Sequence, residues 1–272
     1  MSPPDDYSSA LEGRGIVVTR PLEQGKELVR LIEHHRGRAI VFPAIEIGDV
    51  VDATRVNALI DRLGTFDAAI FISPNAVNKA LPAIAARRAL PRSLMMMAIG
   101  EGTARELRGH GVEVVVVPPR FDSEALLELP ELEQVAGKRV AIFRGEGGRP
   151  LLGDALIARG AVVEYAECYR RIKPTADVAP LIDAWSRNEI DGVIVTSSEG
   201  LRNVHEMLGA AGQRQLGRTL LFVPHRRIEA TAHELGLSRV VLTETGDAGI
   251  CSAIVRKFAE CARSDDVAAP TL

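Results

Sequence analysis

The sequence predicts an α/β protein with two similar domains, each built on a parallel sheet. Short apolar segments alternate with amphipathic segments from Gly15 to the last helix, which is the pattern of repeated strand-helix units. Aromatic residues make up only 4% of the chain, whereas Val, Ile, Leu and Ala are abundant, which favours parallel strands buried on both faces. The 272 residues suffice for two domains, each with its own core.

The first half of the chain alternates strands with helices. Predicted strands cover residues 16–19, 38–42, 67–73, 95–99, 112–117 and 139–144. Pro21 suits the first turn of the helix after the first strand, and Gly37 ends that helix. Ser73 and Pro74 begin a later helix, because the hydroxyl caps the helix and proline fits its first turn.

The second half continues the same alternation. A strand that includes Val163 and Tyr169 runs into Arg170 and Arg171 and ends before Pro174. Later predicted strands cover residues 192–196, 220–223 and 239–242, and the last helix covers roughly residues 246–261. Residues 1–12 and 264–272 are expected to be disordered.

The two halves carry the same motifs in the same order. Four pairs are each separated by ~124 positions, as in a duplicated unit: Arg20 and Arg144, Asp67 and Asp191, Ser73 and Ser197, Ile99 and Val223. Each copy ends in an extended segment, residues 42–47 and 166–172, and these segments suit a two-stranded connector between interleaved domains. A plain division of the chain near residue 130 stays open at this point.

Polar and glycine-rich segments follow the predicted strands where helices begin. This edge of an open parallel sheet is where such sheets bind ligands, and helix N-termini attract anions. The segments are residues 73–75, 100–103, 145–149, 197–200 and 224–227. A plain capping role stays open for Ser73, Thr103 and Ser197, and a turn role stays open for His225.

Charge and motif content exclude several functions. A net charge of −3 and a pI near 6.1 give no overall field that recruits nucleic acid or an anionic membrane. The cysteines lack metal-binding spacing, and Cys251 falls on an apolar helical stripe. The loop GEGG lacks the dinucleotide-binding spacing, so no nucleotide cofactor is expected. No signal peptide or membrane-spanning stretch is evident, which predicts a soluble, cytoplasmic protein.

Tyr169 is the residue most open to a chemical role. It lies where the strand leaves one predicted domain, so its phenol is expected to meet a ligand in a cleft as a weak acid. The alternative is a tyrosine that only packs at a domain junction, because an aromatic ring with a polar tip suits any interface.

Six motifs occur in a fixed order along the chain: VVTRP, SPNAV, IGEGTARELRGHG, FRGEGGRPLL, CYRR and VTSSEGLRN. In this order they resemble the uroporphyrinogen-III synthase family, and the likeness covers nearly all of residues 15–255. The resemblance implies two α/β domains, interleaved in sequence, joined by a two-stranded linker and separated by a cleft. The implied first domain is residues 1–44 with 172–272, and the second is residues 45–171.

The resemblance also implies an activity. The family cyclises the linear tetrapyrrole hydroxymethylbilane with loss of water and inversion of ring D, without a cofactor or metal. The family's functional tyrosine falls on Tyr169, here expected to donate a proton or hydrogen bond to the departing hydroxyl. Its serine and threonine positions fall on Ser73, Thr103 and Ser197, while Asn75 stands where the family often carries a basic residue.

The substrate carries many carboxylates, so the candidate binding residues are those that offer a hydroxyl, an amide or a cation at the strand ends. They are Arg20, Ser73, Asn75, Thr103, Arg144, Gly147, Arg149, Ser197, Ser198, His225 and Arg227. A monomer without nucleic-acid or membrane partners is expected. The alternative function is a non-catalytic tetrapyrrole or anion sensor on the same fold, disfavoured because the chain shows no winged-helix segment or basic stripe.

Overall fold

The computed structural model describes residues 9–120 and 122–267, with side chains as far as residue 260. Contacts within the chain separate two compact units. Unit 1 combines Met1–Glu46 with Lys173–Leu272, and unit 2 is Ile47–Ile172. The chain therefore starts unit 1, builds all of unit 2 and returns to complete unit 1. A plain division near residue 130 is wrong.

The described residues form ten strands and ten α-helices, numbered here in chain order. The strands are β1 Gly15–Val18, β2 Arg38–Val41, β3 Glu46–Gly48, β4 Ala68–Phe71, β5 Met95–Ala98, β6 Arg139–Gly145, β7 Val162–Ile172, β8 Gly192–Ile194, β9 Leu220–Val223 and β10 Val240–Leu242. The helices are α1 Leu22–His34, α2 Thr54–Asp61, α3 Pro74–Ala85, α4 Glu101–Gly109, α5 Ser123–Leu127, α6 Leu151–Ala158, α7 Ala179–Ser186, α8 Ser198–Leu216, α9 Arg226–Glu234 and α10 Gly246–Val267.

Unit 1 is a five-stranded sheet between two layers of helices. The strand order is β10-β9-β8-β1-β2, and every neighbouring pair is parallel. Side chains alternate across the sheet, so that Val17 faces the core formed with α7, α8 and α9, whereas Ile16 and Val18 face α1 and α10. Strands buried on both faces explain the continuous apolar runs in the sequence.

Unit 2 has the same construction. Its strand order is β3-β7-β6-β4-β5, and the pairs β6 with β7, β4 with β6 and β4 with β5 are parallel. Phe71 and Phe143 stack with ring centroids 4.6 Å apart in the core against α2, α3 and α4, and the opposite face packs on α5 and α6. The predicted fold class, two similar parallel α/β sheets, is confirmed.

An aspartate before one strand supports the start of its neighbour in both units. The Oδ2 atom of Asp67 accepts a hydrogen bond from the backbone N–H of Arg139 at 2.8 Å, and Asp191 Oδ2 accepts one from Gly15 at 2.9 Å. The two aspartates are separated by ~124 positions, as are Gly15 and Arg139, which is the spacing of the repeat in the sequence. The duplication therefore extends from motif order to individual hydrogen bonds.

Three local expectations need correction. Residues 112–117, all of them described, were expected to form a strand. They form only one isolated parallel bridge, between Met97 and Val116. Disorder was expected over residues 1–12, but Leu11 is fully buried; residues 1–8 lie outside the described residues. Disorder was also expected over residues 264–272, but α10 continues to Val267, and residues 268–272 lie outside the described ranges.

Two further expectations concern burial and membranes. Cys251 is a core residue, as predicted from its helical stripe. None of the helices in residues 9–120 and 122–267 combines the length and the apolar character needed to cross a membrane.

Candidate functional site

Helix α3 follows β4, and its first turn carries a polar site of unit 2. Ser73 has extended backbone angles, and its Oγ accepts a hydrogen bond from the N–H of Ala76 at 3.1 Å, with Pro74 in the first turn. This is the cap that the Ser-Pro pair predicts. The capping role of Ser73 is therefore present, and it leaves the hydroxyl proton available for another contact.

A second hydroxyl meets Ser73. The phenol oxygen of Tyr169, on β7, lies 3.1 Å from Ser73 Oγ, and either atom can be the donor. Tyr169 is only 3% exposed and belongs to the core against α3, whereas Ser73 is partly buried. The expectation of an open phenol is therefore wrong: the ring is buried within unit 2, and its hydroxyl has Ser73 as a polar partner.

Gly145 makes room for the tyrosine ring. A Cβ at Gly145 would lie 2.7 Å from Cε2 and Cζ of Tyr169 and 3.1 Å from its hydroxyl oxygen. Real Cβ atoms do not approach other atoms this closely, so a side chain at Gly145 would displace the ring. From the sequence, Gly145 was expected only as part of a glycine-rich loop, and its contact with Tyr169 was not predicted.

Thr103 and Asn75 lie in the first turns of two neighbouring helices of unit 2. Thr103 is 3% exposed in α4, and its N–H donates to Gly100 O at 3.1 Å. Asn75 is partly buried in α3, two residues after the cap at Ser73. Both residues therefore lie at the edge of the sheet where helices begin, which is the predicted location of the site.

Arg144 is held inside unit 2 by several partners. Its guanidinium pairs with Glu167 at 2.9 Å, donates to Gly148 O at 3.0 Å and stacks 3.7 Å from the centroid of the Tyr165 ring. Its side chain is only 12% exposed. The guanidinium therefore organises the 145–149 loop, in which Gly147 takes a φ of +68° and Arg149 is exposed.

Unit 1 repeats the serine cap at α8. Ser197 Oγ accepts a hydrogen bond from Gly200 N–H at 3.0 Å. Where the repeat would place the counterpart of Tyr169, unit 1 has Ile45, whose Cδ1 lies 3.7 Å from the Cβ position of Gly200. The two serine caps therefore match in geometry, but only Ser73 faces a tyrosine.

Ser198 joins the start of α8 to α9. Its hydroxyl donates to Arg227 O at 3.4 Å and accepts from Thr231 Oγ1 at 3.0 Å. His225 holds the N-cap position of α9 without a side-chain capping bond, and both His225 and Arg227 are exposed. This brings three predicted residues of unit 1 together at two adjacent helix starts.

Arg20 follows β1 and corresponds to Arg144 in the repeat. Its Nε donates to Thr196 Oγ1 at 3.3 Å, and its guanidinium pairs with Asp247 in the first turn of α10. The side chain is 18% exposed. Arg20 and Arg144 thus each have a carboxylate partner within their own unit.

In residues 9–120 and 122–260, no three His, Cys, Asp or Glu side chains lie together as a metal-holding group. The expectation that no metal or cofactor is needed stays a prediction.

Similarity to known proteins decides the family. A family model described as "Uroporphyrinogen-III synthase HemD" matches residues 26–249. The uroporphyrinogen-III synthase of Escherichia coli strain K12 is 35% identical over 235 residues, which cover 85% of this chain and 96% of that protein. The chain belongs to the uroporphyrinogen-III synthase family.

Other relatives agree with this assignment. The uroporphyrinogen-III synthase of Salmonella typhimurium strain LT2 is 35% identical over 85% of this chain and 96% of that protein. A crystal structure of a mutant uroporphyrinogen III synthase from Thermus thermophilus has a TM-score of 0.57, covering 92% of this chain and 99% of that one at 20% identity. At this identity, the structural likeness supports the fold alone.

Family membership does not test the role of any single residue. Tyr169 as the catalytic residue and the eleven substrate-binding candidates stay predictions. Within unit 2 the structure joins Ser73 to Tyr169, and it joins Arg144 to the backbone of Gly148 and Arg149. Within unit 1 it joins Ser198 to Arg227. The contact of Gly145 with Tyr169 had no sequence signal beyond the glycine itself.

Proposed function

We propose that this chain cyclises hydroxymethylbilane with loss of water and inversion of ring D, giving uroporphyrinogen III. The observation that carries the proposal is the 35% identity to the Escherichia coli relative, which extends over 85% of this chain and 96% of that one. Similarity of this length spans both units. The similarity is therefore not confined to one domain.

The substrate carboxylates are bound at helix N-termini. In unit 2 these belong to α3 and α4, and in unit 1 to α8 and α9. Each exposed helix start favours an anion by about 0.3–1 kcal/mol through its backbone N–H groups and dipole. Arg149 and Arg227 are exposed and supply guanidinium groups, whereas Arg20 and Arg144 already pair with carboxylates and hold the adjacent loops.

The main contribution of the protein to the reaction is to position the substrate. Protonation and departure of the hydroxyl group as water leave a reactive azafulvenium cation. Ring D attacks it through its substituted carbon to form a spiro-pyrrolenine, which fragments and recloses with ring D inverted. Because the free compound readily closes without inversion, the protein must hold the chain of pyrroles so that the substituted carbon is the one that reacts.

Tyr169 supplies the proton for the departing hydroxyl through Ser73. Of the two directions open to this hydroxyl pair, the proposal takes the one in which the phenol donates to Ser73 Oγ, which also accepts from Ala76 N–H, so that the serine proton is left for the substrate. As the carbon–oxygen bond breaks, its electron pair leaves with the oxygen, the serine proton completes the water and the phenol proton passes to serine. The phenolate recovers a proton from the pyrroles, which lose one on closing. In this relay Ser73, rather than Tyr169, contacts the substrate hydroxyl, because Ser73 is the less buried of the two.

The test is incubation of purified protein with hydroxymethylbilane, followed by chromatographic separation of the product isomers. We expect the isomer with inverted ring D, and a loss of about 10²–10⁴-fold in kcat for Tyr169→Phe if the proton transfer is general acid catalysis. Unchanged turnover in Tyr169→Phe would remove the acid role. Tetrapyrrole binding without any acceleration of closure would instead identify a sensor.

The setting of the reaction is also a proposal. The chain acts as a cytoplasmic monomer that binds no nucleic acid, in line with its net charge of −3. Light scattering on the purified protein in the absence and presence of substrate measures the oligomeric state, and a stable dimer would contradict this part.

A further inference from the structure

Strand β7 changes register against β6 just before Tyr169. The parallel ladder pairs Arg144 with Glu167 and then Gly145 with Tyr169, so Cys168 is an extra residue on β7. The N–H of Glu146 donates to Tyr169 O at 2.8 Å and continues the pairing after the irregularity. Such a β-bulge bends the strand locally and turns the side chains that follow it.

The bulge decides which face of the sheet receives Tyr169. Before it, β7 alternates regularly: Val163 and Tyr165 pack on the α6 side, whereas Ala166 and Cys168 pack on the α3 side. Regular alternation would put Tyr169 on the α6 side with Tyr165. The extra residue instead places Tyr169 on the α3 side directly after Cys168, which is where Ser73 lies.

Gly145 completes the arrangement on the neighbouring strand. Its φ is not positive, so backbone conformation does not require a glycine here. Glycine is required because the Tyr169 ring occupies the space where a Cβ would lie. With a methyl group there, the Tyr169 ring would have to retreat by about 0.7 Å to restore an ordinary contact of 3.4 Å. The hydroxyl at the end of that ring would leave its position at Ser73.

Cys168 stabilises the bulge itself. Its Sγ lies 3.4 Å from Arg144 O and 3.7 Å from Ala76 O, so its single proton is shared between two carbonyls that lie on β6 and in the first turn of α3. Burial raises the pKa of the Cys168 thiol to about 12, so the group keeps its proton as a donor at neutral pH.

We infer that the bulge at Cys168, together with Gly145, is the device that positions Tyr169 for the reaction, with Gly145 as its positioning residue. Gly145 is buried and acts through the place it gives to the phenol. The inference rests on the proposed function and adds to it the residues that fix the proton donor.

The experiment compares Gly145→Ala with the unaltered enzyme in the isomer-resolving assay. Misplacement by about 1 Å can lower a rate about 100-fold, so we expect kcat to fall about 10- to 100-fold with KM unchanged. The share of product with uninverted ring D rises, because spontaneous closure competes. In a Tyr169→Phe background the same substitution is expected to change kcat by less than about twofold, since the hydroxyl it displaces is absent.

The control is Gly109→Ala, at the end of α4 in the same unit. A Cβ at Gly109 meets nothing within 4 Å, so this variant is expected to keep the original kcat and isomer ratio. If Gly145→Ala does not fold, Cys168→Ala removes the bulge thiol without adding atoms. It is expected to lower kcat at least several-fold, and this loss too is expected to vanish in the Tyr169→Phe background.

The outcomes separate this inference from the proposed function. If Gly145→Ala keeps the original kcat, or loses the same factor with and without the Tyr169 hydroxyl, the positioning role is wrong while the activity stands. If the unaltered protein makes no inverted isomer, the proposed function fails, and this inference fails with it.

Discussion

The paired serine caps allow the Ser73–Tyr169 contact to be measured against an internal reference. Ser73→Ala and Ser197→Ala each remove a cap of almost the same geometry, with acceptor distances of 3.1 and 3.0 Å. Loss of a serine cap lowers the free energy of unfolding by about 1 kcal/mol. Ser73→Ala also takes the partner from the buried Tyr169 hydroxyl, which adds about 1–3 kcal/mol. We therefore expect Ser73→Ala to be the more destabilising by at least about 1 kcal/mol.

Urea denaturation followed by circular dichroism measures both variants, and a Tyr169→Phe background supplies the double-mutant cycle. In that background Ser73→Ala is expected to lose only the cap, about 1 kcal/mol, so the cycle gives a coupling energy of about 1 kcal/mol or more. Ser197→Ala is expected to show no coupling to Tyr169→Phe. Equal destabilisation by the two serine variants, or no coupling at Ser73, would refute the claim that the two hydroxyls are hydrogen-bonded.

Two other predictions concern titratable groups. The hydrogen bond from Arg62, and a further one from Arg139, hold the pKa of Glu164 below its ordinary value. Its stabilisation is therefore present above the unfolded pKa of about 4.5 and lost as pH falls through the lower folded value. Glu164→Gln should lower the free energy of unfolding by about 0.5 kcal/mol at pH 7; a difference that persists at pH 2 would contradict this. Burial raises the thiol pKa of Cys168 to about 12 and of Cys251 to about 11, so both should resist alkylation at pH 8 until the protein unfolds. Peptide mass spectrometry checks this, and labelling of either thiol in folded protein would count against it.

The parts of the structure that the sequence predicted are those encoded locally. The alternation of apolar strands and amphipathic helices gave the fold class, and Ser73 and Ser197 act as the expected caps because a cap depends on only three neighbouring residues. The repeat was visible because both copies keep the same residues at strand ends. The strand prediction for residues 112–117 was wrong because a run of valines matches a strand pattern even where only one bridge forms.

The finer features of the site depend on contacts between distant residues. The sequence around Cys168 alternates as a regular strand does, so the bulge could not be read from it; the pairing with Gly145 on β6 creates it. The arginines were expected to be available for carboxylates of the substrate, but Arg20 is paired with Asp247 and Arg144 with Glu167. Such pairings arise only when the sheet brings separate segments together.

The product of hydroxymethylbilane closure tests the central claim most directly. With enough purified protein for catalysed closure to outrun spontaneous closure, the isomer with inverted ring D should become the main product, and its share should rise with protein concentration. A product that stays uninverted at every protein concentration would contradict the account.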